Sequence, residues 1–488
     1  MTTPPGKPQL RLKRWGAVIG TLFASIAPWP PAWALCPAEL PAAIDAITAN
    51  RPELQRARLG IQVETLDGTV IYSESGDRFF VPASALKLLT TAAVLTRYGP
   101  DGTIRTSIYG TTNAAGLTTL RVVGRGDPSL DSSDIESLAD QIAQRGVRQV
   151  SLLIGDESTL PGSAVNPNWE WEDVQAGYGA QANALILNGN ALRLQLAPQG
   201  LGEPLRVVWD TPALADLWEV ENRSRTVAAG APEFIEVGRD LARPVLRVGG
   251  QLVVGSNPEP TAIAIPNPGE AFLTSLSEAL ARRNIPVGRT QLTQTAIADP
   301  GPELAAVQSP PLAELLVPAN RDSNNLYAEA LLRWLGRSAD AAQDTTEAGA
   351  AIALRVLADL GIDTDDVVMV DGSGLARKNL VTPRVLVAVL QVMARSPHAN
   401  LYRDSLAVSG VNGTLRNRLR GTPAEGRIWG KSGAISRNFS LTGYLEPPRY
   451  NGTLAFSILL NNVNVSGGAA RSLIDEIMVP IAQLESCN

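Results

Sequence analysis

Hydrophobic and polar positions alternate over short stretches near both ends of the chain. Residues 61–66 and 69–72 alternate on either side of Asp67-Gly68, which predicts two strands joined by a tight hairpin turn. Residues 439–445 and 453–460 alternate in the same way. Because a period of two places every second side chain on the same face, these runs predict antiparallel strands.

A second pattern, with apolar residues three and four positions apart, predicts helices. The first follows Pro82, starts at Ser84 and ends before Gly99. The others are expected at residues 270–283, 325–335, 347–360, 383–394 and 468–484. We therefore expect an α+β fold in which helices flank an antiparallel sheet.

The pattern of hydrophobic residues changes between residues 100 and 262. Short β-like runs at 120–123, 150–154, 192–196 and 246–254 are separated by Gly, Pro, Asn and Asp, which indicates an inserted and mainly β module. At 488 residues the chain is longer than one ordinary domain. The predicted division is a signal peptide (1–34), a first domain segment (35–100), the insert (101–262) and a second segment of the same domain (263–488).

The first 34 residues have the pattern of a secretory signal. Four basic residues without an acid precede an apolar run from Trp15 to Ala27, and Ala32-Trp33-Ala34 is typical of a cleavage site. A membrane anchor needs about 20 apolar residues, and prolines interrupt this run from Pro28 onward. The pattern predicts an exported protein, periplasmic or otherwise extracytoplasmic.

Charge and cysteine content narrow the chemistry further. Loss of the four basic residues moves the formal charge from −6 to near −10 and leaves no basic cluster, which argues against nucleic acid as a partner. Cys36 and Cys487 are the only cysteines, and either a disulfide or two unpaired thiols fits the sequence. With only two cysteines and one histidine, His398, we expect no zinc or other metal site. We also expect no cofactor.

The use of lysine points to a catalytic site. Beyond the signal, lysine occurs only at positions 87, 378 and 431, and arginine supplies the other basic side chains. An ammonium can lose its proton when it is buried, whereas a guanidinium cannot. Lys87 lies three residues after Ser84, so both side chains share one helix face and Lys87 could accept the Ser84 proton. By itself, a Ser-x-x-Lys match more often marks a solvated helix face.

Two further elements follow in the chain, Ser323-Asn324-Asn325 before a predicted helix and Lys431-Ser432-Gly433 before a predicted strand. Together with Ser-x-x-Lys they form the set found in β-lactamases and penicillin-binding proteins. The first two elements are 239 residues apart, and a compact β-lactamase has no room for so long an insertion after its nucleophile helix.

At this point the chain closely resembles the low-molecular-mass class C penicillin-binding proteins, the S13 family of D-alanyl-D-alanine carboxypeptidases and endopeptidases. The resemblance covers most of the chain after the signal. It rests on the three elements and on local matches at Pro82–Lys87, Gly126–Leu130, Trp169–Asp173, Tyr178–Ala180, Asp371–Leu375 and Gly410–Leu415. The chain departs from the family pattern at two positions. Ser432 is at a position where threonine is usual, and Ala376 is at the position after the Gly-Leu pair where serine is usual.

The resemblance implies a penicillin-binding, transpeptidase-like domain that cleaves peptidoglycan stem peptides and is acylated by β-lactams. Ser84 would attack the carbonyl of the penultimate D-alanine and Lys87 would take its proton. The backbone N–H groups of Ser84 and Ala434 would form the oxyanion hole. Peripheral contact with the membrane is compatible with this assignment.

The remaining site residues take their roles from the same resemblance. Ser323 would pass a proton toward the departing amine, and Asn325 would orient Lys87 and the substrate amide. Lys431 and Ser432 would hold the terminal carboxylate, and Gly433 would let the substrate backbone lie against an edge strand.

Several interpretations stay open. Asp156 resembles a family aspartate that reaches from the insert to the site entrance and meets the side-chain amine of the substrate, although a solvated loop acid also fits. The sequence favours a structural turn at Asp371–Gly374 and packing roles for Trp169 and Trp171. A DD-endopeptidase of cross-links, a β-lactamase and a slow-turnover penicillin-binding sensor are the alternative functions. The single histidine excludes a Ser-His-Asp hydrolase.

Overall fold

The computed structural model describes residues 34–112, 118–211, 218–241, 243–337 and 343–487. The predicted signal peptide, apart from its last residue, lies outside these ranges. Among the described residues, no helix combines the length and apolar character needed to span a bilayer.

The described ranges contain ten α-helices and twenty strands. The helices are α1 (Leu40–Thr48), α2 (Lys87–Tyr98), α3 (Ser132–Gln144), α4 (Pro268–Ala281), α5 (Leu312–Asn320), α6 (Asn325–Gly336), α7 (Thr345–Asp359), α8 (Pro383–Arg395), α9 (Ala399–Asp404) and α10 (Gly467–Ala482). The strands are β1 (Arg58–Thr65), β2 (Val70–Glu74), β3 (Arg105–Thr112), β4 (Thr118–Val123), β5 (Val150–Asp156), β6 (Ala191–Ala197), β7 (Arg206–Trp209), β8 (Glu219–Asn222), β9 (Arg225–Val227), β10 (Phe234–Arg239), β11 (Val245–Val253), β12 (Glu259–Ala264), β13 (Thr290–Thr293), β14 (Glu303–Gln308), β15 (Val367–Val368), β16 (Leu380–Val381), β17 (Ala407–Val408), β18 (Ile428–Ile435), β19 (Asn438–Leu445) and β20 (Leu454–Asn461).

Six strands from both ends of the chain form one antiparallel sheet in the order β17-β18-β19-β20-β1-β2. In β20, Phe456 and Ile458 pack with α1 and α10 on one face, whereas Ala455 and Leu459 pack with α2 and α8 on the other. Every residue of β19 and β20 is buried, since helices cover both faces. The predicted fold, helices flanking an antiparallel sheet, is confirmed.

A disulfide between Cys36 and Cys487 ties the two ends of the described chain together. Their Cα atoms lie 5.6 Å apart, within the usual range for this bond. Backbone hydrogen bonds support the pairing, since Leu35 N–H donates to Gln483 and Leu35 C=O accepts from Glu485.

The inserted module contains more than the sequence pattern predicted. Its largest sheet has the order β13-β5-β4-β3-β14, and α3 and α4 pack against it. In the described residues of the module, twelve strands, β3 to β14, accompany these two α-helices, so the module is mainly β as predicted. Two small sheets, β12-β6-β7 and β10-β11 with β8 and β9, complete it.

The predicted boundary at residue 262 falls inside β12, and β13 and β14 follow it yet pair with β5 and β3. The chain returns to the main domain, which consists of the residues before and after the insert, where Leu312 N–H donates to Gly102 C=O. We therefore place the end of the insert near Gln308. Long-range pairing of this kind leaves no local trace in the sequence.

A buried arginine fastens the insert to the helices of the main domain. Arg333 of α6 is 2% exposed and donates hydrogen bonds to the carbonyl oxygens of Leu160, Pro161 and Ser163. Its Nε also donates to Thr345 Oγ1 at 2.9 Å. These contacts fix the segment of the insert that precedes its cavity-lining residues.

Candidate active site

Ser84 lies in a single 3₁₀ turn, Ala83–Leu86, that leads directly into α2. The regular helix thus begins at Lys87, three residues later than the sequence predicted. Ala83 has a left-handed backbone with φ of 49°, a strained conformation for a residue with a side chain. Neighbouring elements hold this turn: Ser440 Oγ of β19 donates to Pro82 C=O, and at Gly374 a Cβ atom would lie 1.9 Å from the Ala83 oxygen.

Lys87 is completely buried, and its Nζ contacts three oxygen atoms. They are Ser84 Oγ at 2.9 Å, Asn325 Oδ1 at 2.7 Å and the backbone oxygen of Ser373 at 2.7 Å. Burial lowers the pKa of Lys87 to about 7, although the carboxylates of Asp371 and Glu329 act in the opposite direction.

The three contacts suit a neutral amine. Asn325 Oδ1 and the Ser373 carbonyl can only accept, so they take the two N–H bonds of an uncharged Lys87. The lone pair then faces the Ser84 hydroxyl, which can donate its proton. The arrangement can therefore deprotonate Ser84 at neutral pH.

The Ser-x-Asn element lies at the start of α6. Asn324 caps the helix, since its side chain accepts from Tyr327 N–H at 3.2 Å. Asn325 presents its oxygen to Lys87 and donates from Nδ2 to the Tyr178 carbonyl of the insert at 2.9 Å. Ser323, just before the cap, has a left-handed backbone with φ of 60°.

Strand β18 brings Lys431, Ser432, Gly433 and Ala434 beside the nucleophile. At Gly433 a Cβ atom would lie 2.9 Å from Ser84 N and 2.2 Å from Ser440 Oγ, so only glycine lets the strand approach this closely. Lys431 is completely buried and donates to Ser432 C=O at 2.7 Å. Burial, together with the nearby Lys87, lowers the pKa of Lys431 well below its ordinary value.

One edge of β18 is open beside this site. Strand β17 pairs only with Trp429 and Gly430, so no described strand pairs with that edge from Lys431 to Ile435. An open edge of this kind can take an extended peptide as an additional strand.

A cavity of about 350 Å³ opens over the nucleophile. It is lined by Ser84, Asp173, Tyr178, Ser323, Asn325, Leu375, Arg377, Ala434, Ile435 and Ser436. Four predicted site residues thus meet at one cavity, and residues of the insert form part of its wall.

The structure does not place Asp156 at this cavity. Asp156 is 3% exposed, pairs with Arg121 at 2.7 Å and accepts from Ser158 N–H, all within the insert. It ends β5, whose pairing with two neighbouring strands holds it inside the module. Asp173 is the insert carboxylate that lines the cavity. The Trp169–Asp173 match contained this residue, which the sequence interpretation overlooked.

Asp173 shares the cavity wall with a cation. Its carboxylate accepts from Arg377 at 3.0 Å and from the Tyr178 hydroxyl at 3.1 Å. Arg377 also pairs with Glu170 at 2.8 Å. Both charge signs therefore occur at this side of the cavity.

The segment Asp371–Gly374 is a structural turn, as the sequence indicated. Asp371 accepts four N–H groups, from Gly374, Ala376, Asn379 and the indole of Trp169. Trp169 is buried, as predicted, whereas the packing role expected for Trp171 is wrong, because this side chain is 60% exposed.

Comparison with known proteins identifies the family. The model of the D-Ala-D-Ala carboxypeptidase 3 (S13) family matches residues 40–484. The chain belongs to this family. The matched residues of the S13 family include both the main domain and the insert.

Similar proteins align with this chain over most of its length. A D-alanyl-D-alanine carboxypeptidase from Actinomadura sp. strain R39 is 34% identical over 464 residues, which cover 91% of this chain and 85% of the relative. A penicillin-sensitive carboxypeptidase A from Dictyostelium discoideum is 27% identical and covers 84% and 83%. The crystal structure of penicillin binding protein 4 from Haemophilus influenzae matches with a TM-score of 0.77 at 21% identity, over 91% of this chain and 99% of that one. This last likeness supports the fold.

Proposed function

We propose that this protein is a serine D-alanyl-D-alanine carboxypeptidase that acts on peptidoglycan stem peptides and is acylated by β-lactams. One observation carries the proposal: a completely buried lysine with a pKa lowered to about 7 lies 2.9 Å from the Ser84 hydroxyl at the base of the cavity. Relatives with this activity in their names, and the S13 match, support it.

In the proposed reaction, Ser84 Oγ attacks the carbonyl carbon of the penultimate D-alanine while its proton moves to Lys87. The negative oxygen that forms is held by the backbone N–H groups of Ser84 and Ala434. When the C–N bond breaks, the leaving D-alanine amine takes a proton through Ser323. The products are an ester on Ser84 and free D-alanine.

Water then attacks the ester, and Ser84 recovers its proton as the shortened peptide leaves. A β-lactam follows the first half of this path, but its leaving group stays tethered to the acyl group. Because this group does not leave, it continues to block the approach of water, and Ser84 remains acylated.

The substrate would lie along the open edge of β18. Its terminal carboxylate would meet Lys431 and Ser432, and this negative charge would favour the ammonium form of Lys431, which burial otherwise disfavours. The same site can act on a cross-link between two stem peptides, which is the endopeptidase alternative.

We also propose that the protein works outside the cytoplasm, where its substrate is found. The signal pattern of the first 34 residues and the disulfide at Cys36 and Cys487 support export. Contact with the membrane surface would then be peripheral.

The proposal predicts covalent labelling at one residue. Incubation of the mature chain with a fluorescent penicillin should give an adduct at Ser84 by mass spectrometry, and D-alanine should be released from diacetyl-Lys-D-Ala-D-Ala. Ser84→Ala should abolish both signals, whereas the control Ser129→Ala, in the insert, should retain them. An adduct at Ser84 without release of D-alanine from this peptide, and without cleavage of a cross-linked peptide dimer, would favour a penicillin-binding sensor. No adduct at Ser84 would overturn the proposal.

The charges at the cavity wall indicate which stem peptide fits. Asp173 can bind an ammonium group and Arg377 a carboxylate, so we propose a substrate whose third side chain ends in an α-amino carboxylate, as in diaminopimelyl peptides. A side chain that carries only an amine would leave Arg377 without a substrate partner.

Arg377→Gln should therefore affect the two peptide classes differently. We expect kcat/KM for a diaminopimelyl-D-Ala-D-Ala peptide to fall about tenfold, the order of one partly exposed charge-assisted contact, with a much smaller change for diacetyl-Lys-D-Ala-D-Ala. Arg384→Gln, a cation that pairs with Asp366 away from this cavity, is the control. An equal loss for both peptides would show that Arg377 supports only the structure.

A further inference from the structure

A second buried carboxylate lies behind the nucleophile and has no part in the mechanism described above. Glu329 is on α6, one helical turn after Asn325, and is 2% exposed. Its Oε1 accepts the backbone N–H groups of Gly372 at 3.0 Å and Ser373 at 2.8 Å.

These two hydrogen bonds connect Glu329 to the proposed base. Ser373, whose N–H is held by Glu329, uses its carbonyl oxygen to accept from Lys87 Nζ at 2.7 Å. The preceding carbonyl, of Gly372, accepts from Thr90 Oγ1 one turn further along α2. A shift of this backbone segment would therefore change the position of an acceptor of Lys87.

We propose that Glu329 is a positioning residue of the acylation step: it holds the Gly372–Ser373 backbone against Lys87, and its charge governs how readily Lys87 releases its proton. The inference rests on the proposed role of Lys87 as the base. Asp371 does not hold this segment in the same way, because its four N–H donors belong to Gly374, Ala376, Asn379 and Trp169 and not to Gly372 or Ser373.

Few charged side chains surround the carboxyl group of Glu329. Lys87 and Asp371 face Glu329, Arg333 lies one turn further along α6, and Lys431 faces Lys87 from β18. Burial, assisted by the like charge of Asp371, raises the pKa of Glu329 to about 8. When Glu329 is protonated, Lys87 loses one of the two carboxylates that stabilise its ammonium form.

Two substitutions separate the charge of Glu329 from its hydrogen bonds. Glu329→Gln keeps an acceptor for the two N–H groups but cannot become negative, so the change in acylation rate near pH 8, where Glu329 of the wild type ionises, should be lost. Glu329→Asp keeps the charge but is one methylene shorter, so the plateau rate should fall about tenfold while the half-maximal pH stays in place.

The measurement is the rate of fluorescent-penicillin labelling of Ser84 between about pH 5.5 and 9, with thermal unfolding to confirm that each variant is folded. Glu314→Gln, an exposed acid on α5, serves as the control and should match the wild type. A Glu329→Gln profile that superimposes on the wild type, or loss of the change near pH 8 in Glu329→Asp as well, would overturn the role of Glu329 alone. A wild-type rate that does not depend on pH, or labelling elsewhere than Ser84, would instead overturn the proposed function on which the inference depends.

Discussion

Lys87→Arg is expected to slow acylation of Ser84 by about 10²–10⁴-fold, the usual contribution of a general base. The guanidinium keeps the positive charge but does not lose its proton at any working pH. It also has to fit a completely buried position where three oxygen atoms surround one nitrogen. Charge alone therefore does not replace the lysine.

The pH dependence gives the sharper test of this substitution. Lys87 acts as a base only when it is neutral, so acylation of the wild type should be fast above a pH of about 7 and should decline as the pH falls below it. Lys87→Arg should lose this inflection, whereas Lys378→Arg, an exposed lysine bound to Asn168, should keep both rate and profile. A Lys87→Arg protein that retains the wild-type rate and inflection would place the base elsewhere.

Gly433→Ala is expected to reduce acylation by about 10²–10³-fold, the effect of losing one oxyanion-hole donor. The added Cβ atom would lie 2.9 Å from Ser84 N, where real contacts of this kind essentially do not occur, and 2.2 Å from Ser440 Oγ. Either β18 withdraws and moves Ala434, or Ser440 is displaced and releases Pro82 C=O. Both responses disturb the two N–H groups of the oxyanion hole.

A matched glycine in the same strand separates this effect from general strain. At Gly430 a Cβ atom would meet only side-chain atoms and no backbone, the nearest being Ile428 Cγ2 at 3.1 Å. Gly430→Ala should therefore lower the melting temperature slightly and leave the rate of penicillin labelling near the wild-type value. Equal losses of labelling in both variants would argue that β18 tolerates no added side chain and that the Gly433 contact with Ser84 is not special.

The site depends on the insert more than the linear order of the chain suggests. Asn325, which orients Lys87, is itself bound by the Tyr178 carbonyl, and Asp173 and Tyr178 line the cavity. Arg333 fastens the preceding segment to α6. The insert therefore contributes to the position of the proposed base as well as to the shape of the cavity.

The sequence by itself determined the local elements and the reactive pair. Periodicity placed the predicted helices and strands to within a few residues because amphipathic patterns follow directly from which face is buried, but it did not reveal α1, α3, α5 or α9. A spacing of three residues brought Ser84 and Lys87 together because both belong to consecutive helical turns. The three-element set, in its order, was enough to indicate the family.

Only the tertiary structure decided what depends on contacts between distant segments. The insert extends past residue 262 because β14 pairs with β3, almost 200 positions away. Asp173 replaces Asp156 at the cavity because sheet pairing holds Asp156 inside the insert. The lowered pKa of Lys87 is likewise a tertiary property, since α6 and the turn at Ser373 exclude water from a side chain that a lone helix would leave solvated.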